Sequence, residues 1–154
     1  MIDTPKIVKS AGQLTAMVHL TVPRSEIQNV MGPGLSEVQA AVAAQGIAVI
    51  GPWFTHHLKM DPKAFDFEIC LPVKTPVSAT GRVQPGRMPA RRVVRTVFHG
   101  SYEGLAGAWG ELMSWIKSEG LTPAEDLYEI YTEGPEASSD PSAWRTELNR
   151  PLME

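Results

Sequence analysis

The sequence predicts an α+β fold built from a duplicated strand-helix-strand-strand module, giving one antiparallel sheet with two main helices. Three observations carry this. Stretches of period-two apolar alternation flank two amphipathic helical stretches. Landmarks recur at fixed offsets: Gly46 and Gly120 stand 74 residues apart, while Glu68/Glu147 and Pro72/Pro151 stand 79 apart. Thirteen Gly and 13 Pro are more than a helix bundle carries, which favours strands and turns.

The elements follow in order. In LTAMVHLTV, Leu14, Ala16, Val18, Leu20 and Val22 alternate with mostly polar residues, the period of a strand with one buried face. Pro33-Gly34 reads as a break, after which Ser36 and Gln39 are spaced as a capping box. The helix LSEVQAAVAAQ puts Leu35, Val38, Ala41, Val42 and Gln45 on one face, and Gly46 ends it. Strand-like text runs from Ile47 to Leu58, Asp61-Pro62 marks a turn, and Phe65 to Val73 is a further strand.

Pro76 to Pro89 is a connector whose middle, Thr80 to Gln84, is a candidate short strand. The pattern then repeats: a strand over Arg91 to His99, a helix over Ser101 to Glu119, and strands over Leu127 to Thr132 and Ala143 to Leu148. Ser101 stands as N-cap, with Tyr102 opening the helix. Leu105, Ala108, Trp109, Leu112 and Ile116 form its apolar stripe, and Asp140-Pro141 is a turn. The change of offset from 74 to 79 places a five-residue insertion in the second copy, near Glu136 to Ser139. The expected organisation is one domain of two repeats, about residues 14–75 and 90–152, with a groove where the repeats meet.

Composition excludes several classes. The net charge of -3 gives no basic footprint for nucleic acid, and 43% hydrophobic residues supply a core. The single cysteine, Cys70, allows no internal disulfide and reads as a buried thiol. No apolar run approaches the roughly 20 residues of a membrane helix, and the N-terminus lacks a signal-peptide core. The expectation is a soluble cytoplasmic protein with no membrane partner. His56 and His57 are adjacent on a strand and so point to opposite faces. No ligand spacing suggests a metal, and no phosphate loop suggests a nucleotide, so no metal and no cofactor are expected.

The most informative position is Glu129, a carboxylate within LYEIY. Parity sets Leu127, Glu129 and Tyr131 on one face and Tyr128 and Ile130 on the other. The 74-residue offset matches Trp53, Thr55 and His57 to Leu127, Glu129 and Tyr131. The expected site is therefore Trp53, Thr55, His57, Glu129 and Tyr131 on one face, with Tyr102 and Trp109 as further candidate ligand contacts. Phe54, Leu58, Tyr128 and Ile130 are expected on the helix side. A carboxylate among aromatics can attract a cation, or serve as a general base with its pKa raised by desolvation. Gly104, Gly107 and Gly110 predict close approach of the second helix to another surface. Arg91, Arg92 and Arg95 read as a solvated strand edge.

The segments VPRSEIQNVMGPG, LSEVQAAVAAQGI, GPWFTHH, FDFEICLPV, FHGSYEGLAGAWGELMSWI, LYEIY and WRTELNRPL resemble, in this order, the GyrI-like small-molecule-binding family. This family includes the effector-binding domains of multidrug-responsive regulators. The resemblance covers Leu14 to Leu152. It implies two strand-helix-strand-strand modules enclosing a groove, which takes bulky aromatic or cationic molecules. It places the family's glutamate anchor at Glu129; many stand-alone relatives have Trp where this chain has Tyr128. Three readings follow: a binder that senses or sequesters xenobiotics, a hydrolase opening cyclopropane-bearing toxins with Glu129 and Tyr131 as catalytic residues, and a protein-protein inhibitor of the gyrase-inhibitor type. The dozen residues before Leu14 are too few for a helix-turn-helix, so no direct DNA contact is expected.

Overall fold

The computed structural model describes residues 2–60 and 62–153. Eight strands and two helices follow the chain as β1 (Lys6–Lys9), β2 (Gln13–Pro23), α1 (Ile27–Ala44), β3 (Phe54–Met60), β4 (Ala64–Pro72), β5 (Gln84–Met88), β6 (Arg92–His99), α2 (Leu105–Ser118), β7 (Leu127–Glu133) and β8 (Arg145–Pro151). They form two compact units, one of residues 11–90 and one of residues 1–10 with 91–154. Among the described residues each unit carries four antiparallel strands, ordered β3-β4-β2-β5 in the first and β1-β6-β8-β7 in the second. The fold is α+β, as the alternation of patterns predicts.

The duplication is written into the strand registers. Phe54, Thr55 and His56 face Cys70, Ile69 and Glu68. Tyr128, Glu129 and Ile130 face Asn149, Leu148 and Glu147. Each pair is carried into its counterpart by the same offsets, 74 on one strand and 79 on the other. Gly46 and Gly120 both hold positive φ, 65° and 69°, where a left-handed residue closes a helix. The Asp61-Pro62 turn lies partly outside the described residues, at Asp61.

Several local expectations are corrected. α1 begins at Ile27, so Ser36 lies inside it and caps nothing, and Pro33 sits in the helix interior. Pro33 costs a backbone bond there. The longer helix recovers this by packing Ile27, Val30 and Met31 against the first core. Gly34 is a close approach, not a break: a methyl group on it would lie 2.5 Å from Ile69 Cδ1. The connector strand is β5, later than Thr80 to Gln84, and the N-terminal strand β1 has no counterpart in the sequence reading. Ser101 takes the extended cap conformation before a 3-10 turn at Tyr102–Gly104, but its side chain makes no capping bond among the described residues. Of the three glycines on the second helix, only Gly104 meets protein, with Phe98 Cζ 2.6 Å from a methyl placed on it. Gly107 and Gly110 would meet nothing within 4 Å among the described residues.

Each helix covers one face of the strands of its own unit. Val38, Ala41 and Val42 of α1 pack on Ala16, Val18, Leu20, Phe67, Ile69 and Leu71. Ala108, Leu112 and Ile116 of α2 pack on Val94, Phe98 and Leu148. Cross-strand partners share a face, so Glu129, opposite Leu148, lies under α2, and Thr55 and His57, opposite Ile69 and Phe67, lie under α1. The parity expected for β3 and β7 holds, but the side is inverted. Phe54, Tyr128 and Ile130 face away from the helices, and the Glu129 face is the covered one. The physical reason is that both faces of β7 are apolar and buried around Glu129, so alternation alone carries no label for the helix side.

Thr146 Oγ1 is buried and has no hydrogen-bond partner among the described residues. Replacing it by an isosteric methyl removes an unpaired polar group without opening a void. We predict that Thr146→Val raises stability by about 1 kcal/mol, read as a higher urea midpoint at unchanged slope. A lower midpoint would show that this hydroxyl is paired in solution.

Candidate functional site

Strand β7 brings Glu129 and Tyr131 to the same face two residues apart, and α2 lays Trp109 over them. The Trp109 indole N–H donates to Glu129 Oε2 at 2.6 Å, and the Tyr131 hydroxyl donates to Oε1 at 2.7 Å. Trp109 reaches the carboxylate because it sits one residue beyond Ala108, on the flank of the stripe seated on the sheet. An indole N–H can only donate and a carboxylate can only accept, so the match is chemically one-way. Glu129 is 9% exposed. Burial pushes its carboxyl above the ordinary range, while the bonds from Trp109 and Tyr131 pull the other way. Among the described residues no basic group pairs with it.

Aromatic rings continue outward from this carboxylate. Tyr102 meets Tyr131 edge-on, with centroids 5.7 Å apart, and Trp144 lies against Tyr102 at 5.1 Å. The Trp144 indole is fixed by donating to the Ser138 carbonyl at 2.9 Å. The Tyr102 phenol is held above its ordinary range, first by burial and then by the fields of Glu136 and Glu129. It therefore remains a protonated donor at neutral pH.

Of the expected site residues, the structure brings Glu129, Tyr131, Trp109 and Tyr102 together. Trp53, Thr55 and His57 lie in the first module, on the α1 side. Thr55 is fully buried, and Trp53 packs against the first core. His57 stacks on Phe67 at 5.3 Å and meets Phe65 edge-on at 5.5 Å. Its pKa is lowered to about 4, chiefly by burial and then by His56 and Arg24. It is a neutral ring in a ring cluster. Trp144 was missed by the sequence reading, although the 79-residue offset that pairs Glu68 with Glu147 also carries Phe65 onto it.

The other candidates have structural roles. His56 Nδ1 lies 3.2 Å from Glu68 Oε1, on the face opposite His57, and His19 contacts Asp66. Among the described residues no group of three or more His, Cys, Asp or Glu is placed to hold a metal. Cys70 is buried, and burial raises its thiol far above the ordinary range. Arg91 pairs with Asp126 and Arg95 with Glu147, so two of the three clustered arginines are tied to carboxylates. No helix among the described residues is long and apolar enough to cross a membrane.

Residues 3–152 match the family model of the GyrI-like small molecule binding domain. The chain belongs to this family. No curated protein matches the sequence. Among solved structures, the EcmrR C-terminal domain aligns with a TM-score of 0.87 and 22% identity, over 98% of this chain and 98% of that one. The EcmrR-DNA complex aligns with a TM-score of 0.83 and 22% identity; there this GyrI-like chain is 98% covered and spans 57% of the longer chain. SAV2435 bound to tetraphenylphosphonium aligns with a TM-score of 0.67 and 12% identity, over 98% of this chain and 94% of that one. At these identities the likeness shows a shared fold.

Two pH effects follow from the GyrI-like module geometry. For His57 the folded-state value lies below the ordinary 6.5, so its stability contribution is full above pH 6.5 and is lost as pH falls toward 4. Wild type should lose about 3 kcal/mol relative to His57→Phe between pH 7 and 4, measured by urea unfolding; parallel losses would show that His57 is not the titrating group. Glu129 has the opposite sign. Its folded-state value is raised, so the linked stability is full below the unfolded value and is lost as pH rises through the folded one. Glu129→Gln should therefore unfold at higher urea than wild type at pH 8, with the gap closing toward pH 4.

Proposed function

We propose that this protein binds bulky aromatic cations, with Glu129 as the charged anchor and Tyr131, Tyr102 and Trp109 as its ring surroundings. The observation that carries the reading is a buried carboxylate held by two neutral donors, with no basic partner among the described residues. Burying such a charge is costly unless a counter-charge arrives. A lipophilic cation supplies that charge, and the faces of the neighbouring rings favour it further. That the fold relative SAV2435 is described bound to tetraphenylphosphonium, a cation of this kind, supports the reading. The biological role that fits is capture or sensing of xenobiotics, with no direct contact to nucleic acid.

A test uses two ions of one shape and opposite charge. Tetraphenylphosphonium should bind the protein, and tetraphenylborate should bind far more weakly, by isothermal titration. Glu129→Gln should weaken the cation by about 1–3 kcal/mol, the scale of a hydrogen bond to a charged group, and should narrow the gap between the two ions. Equal affinity of wild type and variant for the cation would remove Glu129 as anchor.

A hydrolytic reading rests on the same carboxylate. Desolvation raises its basicity, and the Tyr131 hydroxyl stands beside it, as a general base activating water requires. It demands turnover. Incubation with a cyclopropane-bearing electrophile should then yield ring-opened product in wild type and none in Glu129→Gln, whereas unchanged substrate in both leaves binding as the function.

A further inference from the structure

The five residues that lengthen the second module lie between β7 and β8, and they build a compact loop. The amides of Ala137 and Ser138 donate to the Gly134 carbonyl at 2.9 and 3.3 Å. The Asp140 amide donates to Ser138 Oγ at 3.1 Å. The Ser138 carbonyl accepts from the Trp144 indole, which ties the loop to the ring packed against Tyr102.

Gly134, where the chain leaves β7, is buried and small for a reason. A methyl group there would lie 2.6 Å from the Tyr102 hydroxyl oxygen and 3.1 Å from Glu136 Oε2. The phenol oxygen and the loop carboxylate thus converge over one Cα. The ring of the same Tyr102 leans on Tyr131, whose hydroxyl donates to Glu129. Two carboxylates therefore flank one aromatic run: Glu129 buried at one end, and Glu136 exposed at the other.

Among the described residues the first module shows no such second end. Its 3-10 turn begins at Arg24 where the second begins at Tyr102, and Phe65 stands where the second has Trp144. The Arg24 guanidinium lies 4.4 Å from the centre of the Phe65 ring. That module thus covers its own aromatic face with a resident cation. The second module replaces this cation with a tyrosine and adds a carboxylate beside it.

We propose that Glu136 is a specificity residue of the Glu129 site, and that the two carboxylates together select aromatic dications whose second charged group reaches past Tyr102. This rests on the reading of Glu129 as cation anchor. The two ends differ in kind. The buried carboxylate acts at low effective dielectric and resists salt, whereas the exposed one is screened. Glu136 therefore adds a modest and salt-sensitive increment, given only to ligands with a second charge.

Ethidium and propidium test this, because they share a phenanthridinium ring and propidium adds a quaternary ammonium on a short tail. In fluorescence titrations at low salt, propidium should bind the wild type about threefold to fivefold tighter than ethidium, the scale of one exposed charge pair. Glu136→Gln should abolish that advantage while leaving ethidium affinity unchanged, and about 0.5 M salt should abolish it in the wild type. An advantage that survives in Glu136→Gln, or is missing in the wild type, overturns the proposal. Loss of affinity for both dyes in Glu129→Gln upholds the anchor whatever Glu136 does. No change for either dye in Glu129→Gln overturns the anchor, and this proposal with it.

Discussion

The bond pair that fixes Glu129 is the constraint from which the second module is built. A carboxylate out of water needs both oxygens satisfied, and the donors must be held where they are. Trp109 is held because Ala108, Leu112 and Ile116 seat α2 on Val94, Phe98 and Leu148. That seating requires the closeness that Gly104 permits against Phe98. Tyr131 is held from behind by Tyr102, and Tyr102 by Trp144, whose indole donates to the Ser138 carbonyl. Helix placement, the glycine at the helix start and the inserted loop all lead to the geometry of one carboxylate. Satisfying that carboxylate with neutral donors fixes its position without cancelling its charge.

The two modules share a frame and diverge at a few positions that face the helix. Thr55, His57, Phe65 and Phe67 in the first correspond to Glu129, Tyr131, Trp144 and Thr146 in the second. In the first, His57 stacks on Phe67 and Phe65 turns its edge to both, so ring fills against ring. In the second, Thr146 takes the place of Phe67, which removes ring volume from beneath the aromatic run. The polar position moves to Glu129. One copy thus uses these positions for packing and the other for polar chemistry. At these positions the divergence lies in side chains, since the paired strands keep the same register there.

Most of the frame was legible in the sequence because it rests on spacing. Helix-ending glycines and strand pairs repeat at constant offsets, and these survive substitution of nearly every other residue. The alternation in LYEIY also sets Tyr131 on the face of Glu129, where its hydroxyl donates to the carboxylate. What it could not give was the side. Leu127, Tyr128, Glu129 and Tyr131 are all buried, so a pattern that marks faces by wet and dry has nothing to mark. The start of α1 was hidden differently. Pro33-Gly34 has the local chemistry of a turn, and the packing of Gly34 on Ile69 and Leu20, which overrides that chemistry, is a tertiary fact. Tyr128, which departs from the tryptophan common in stand-alone relatives, faces away from α2, so the departure leaves the Glu129 face unchanged.

The treatment of its other carboxylates shows why Glu129 stands apart. Glu37 is met by Arg82, Asp126 by Arg91 and Glu147 by Arg95. Each of these acids is more exposed than Glu129, and water would satisfy it at little cost without an arginine. The deepest acid of the set has the weakest partners, an indole and a phenol. Even the buried Arg150 is turned toward the Ala124 carbonyl, with Asp126 as the acid in its field. A guanidinium beside Glu129 would lower the cost of burial and, on the proposed reading, would fill the place of a ligand's cation. Neutral donors offset part of the cost of burial without cancelling the charge, and desolvation still holds the carboxyl above its ordinary range; on the proposed reading a bound cation would offset the remainder. On the proposed reading, the lost stability and the binding selectivity come from the same desolvated carboxylate, and the two hydrogen bonds hold it in place.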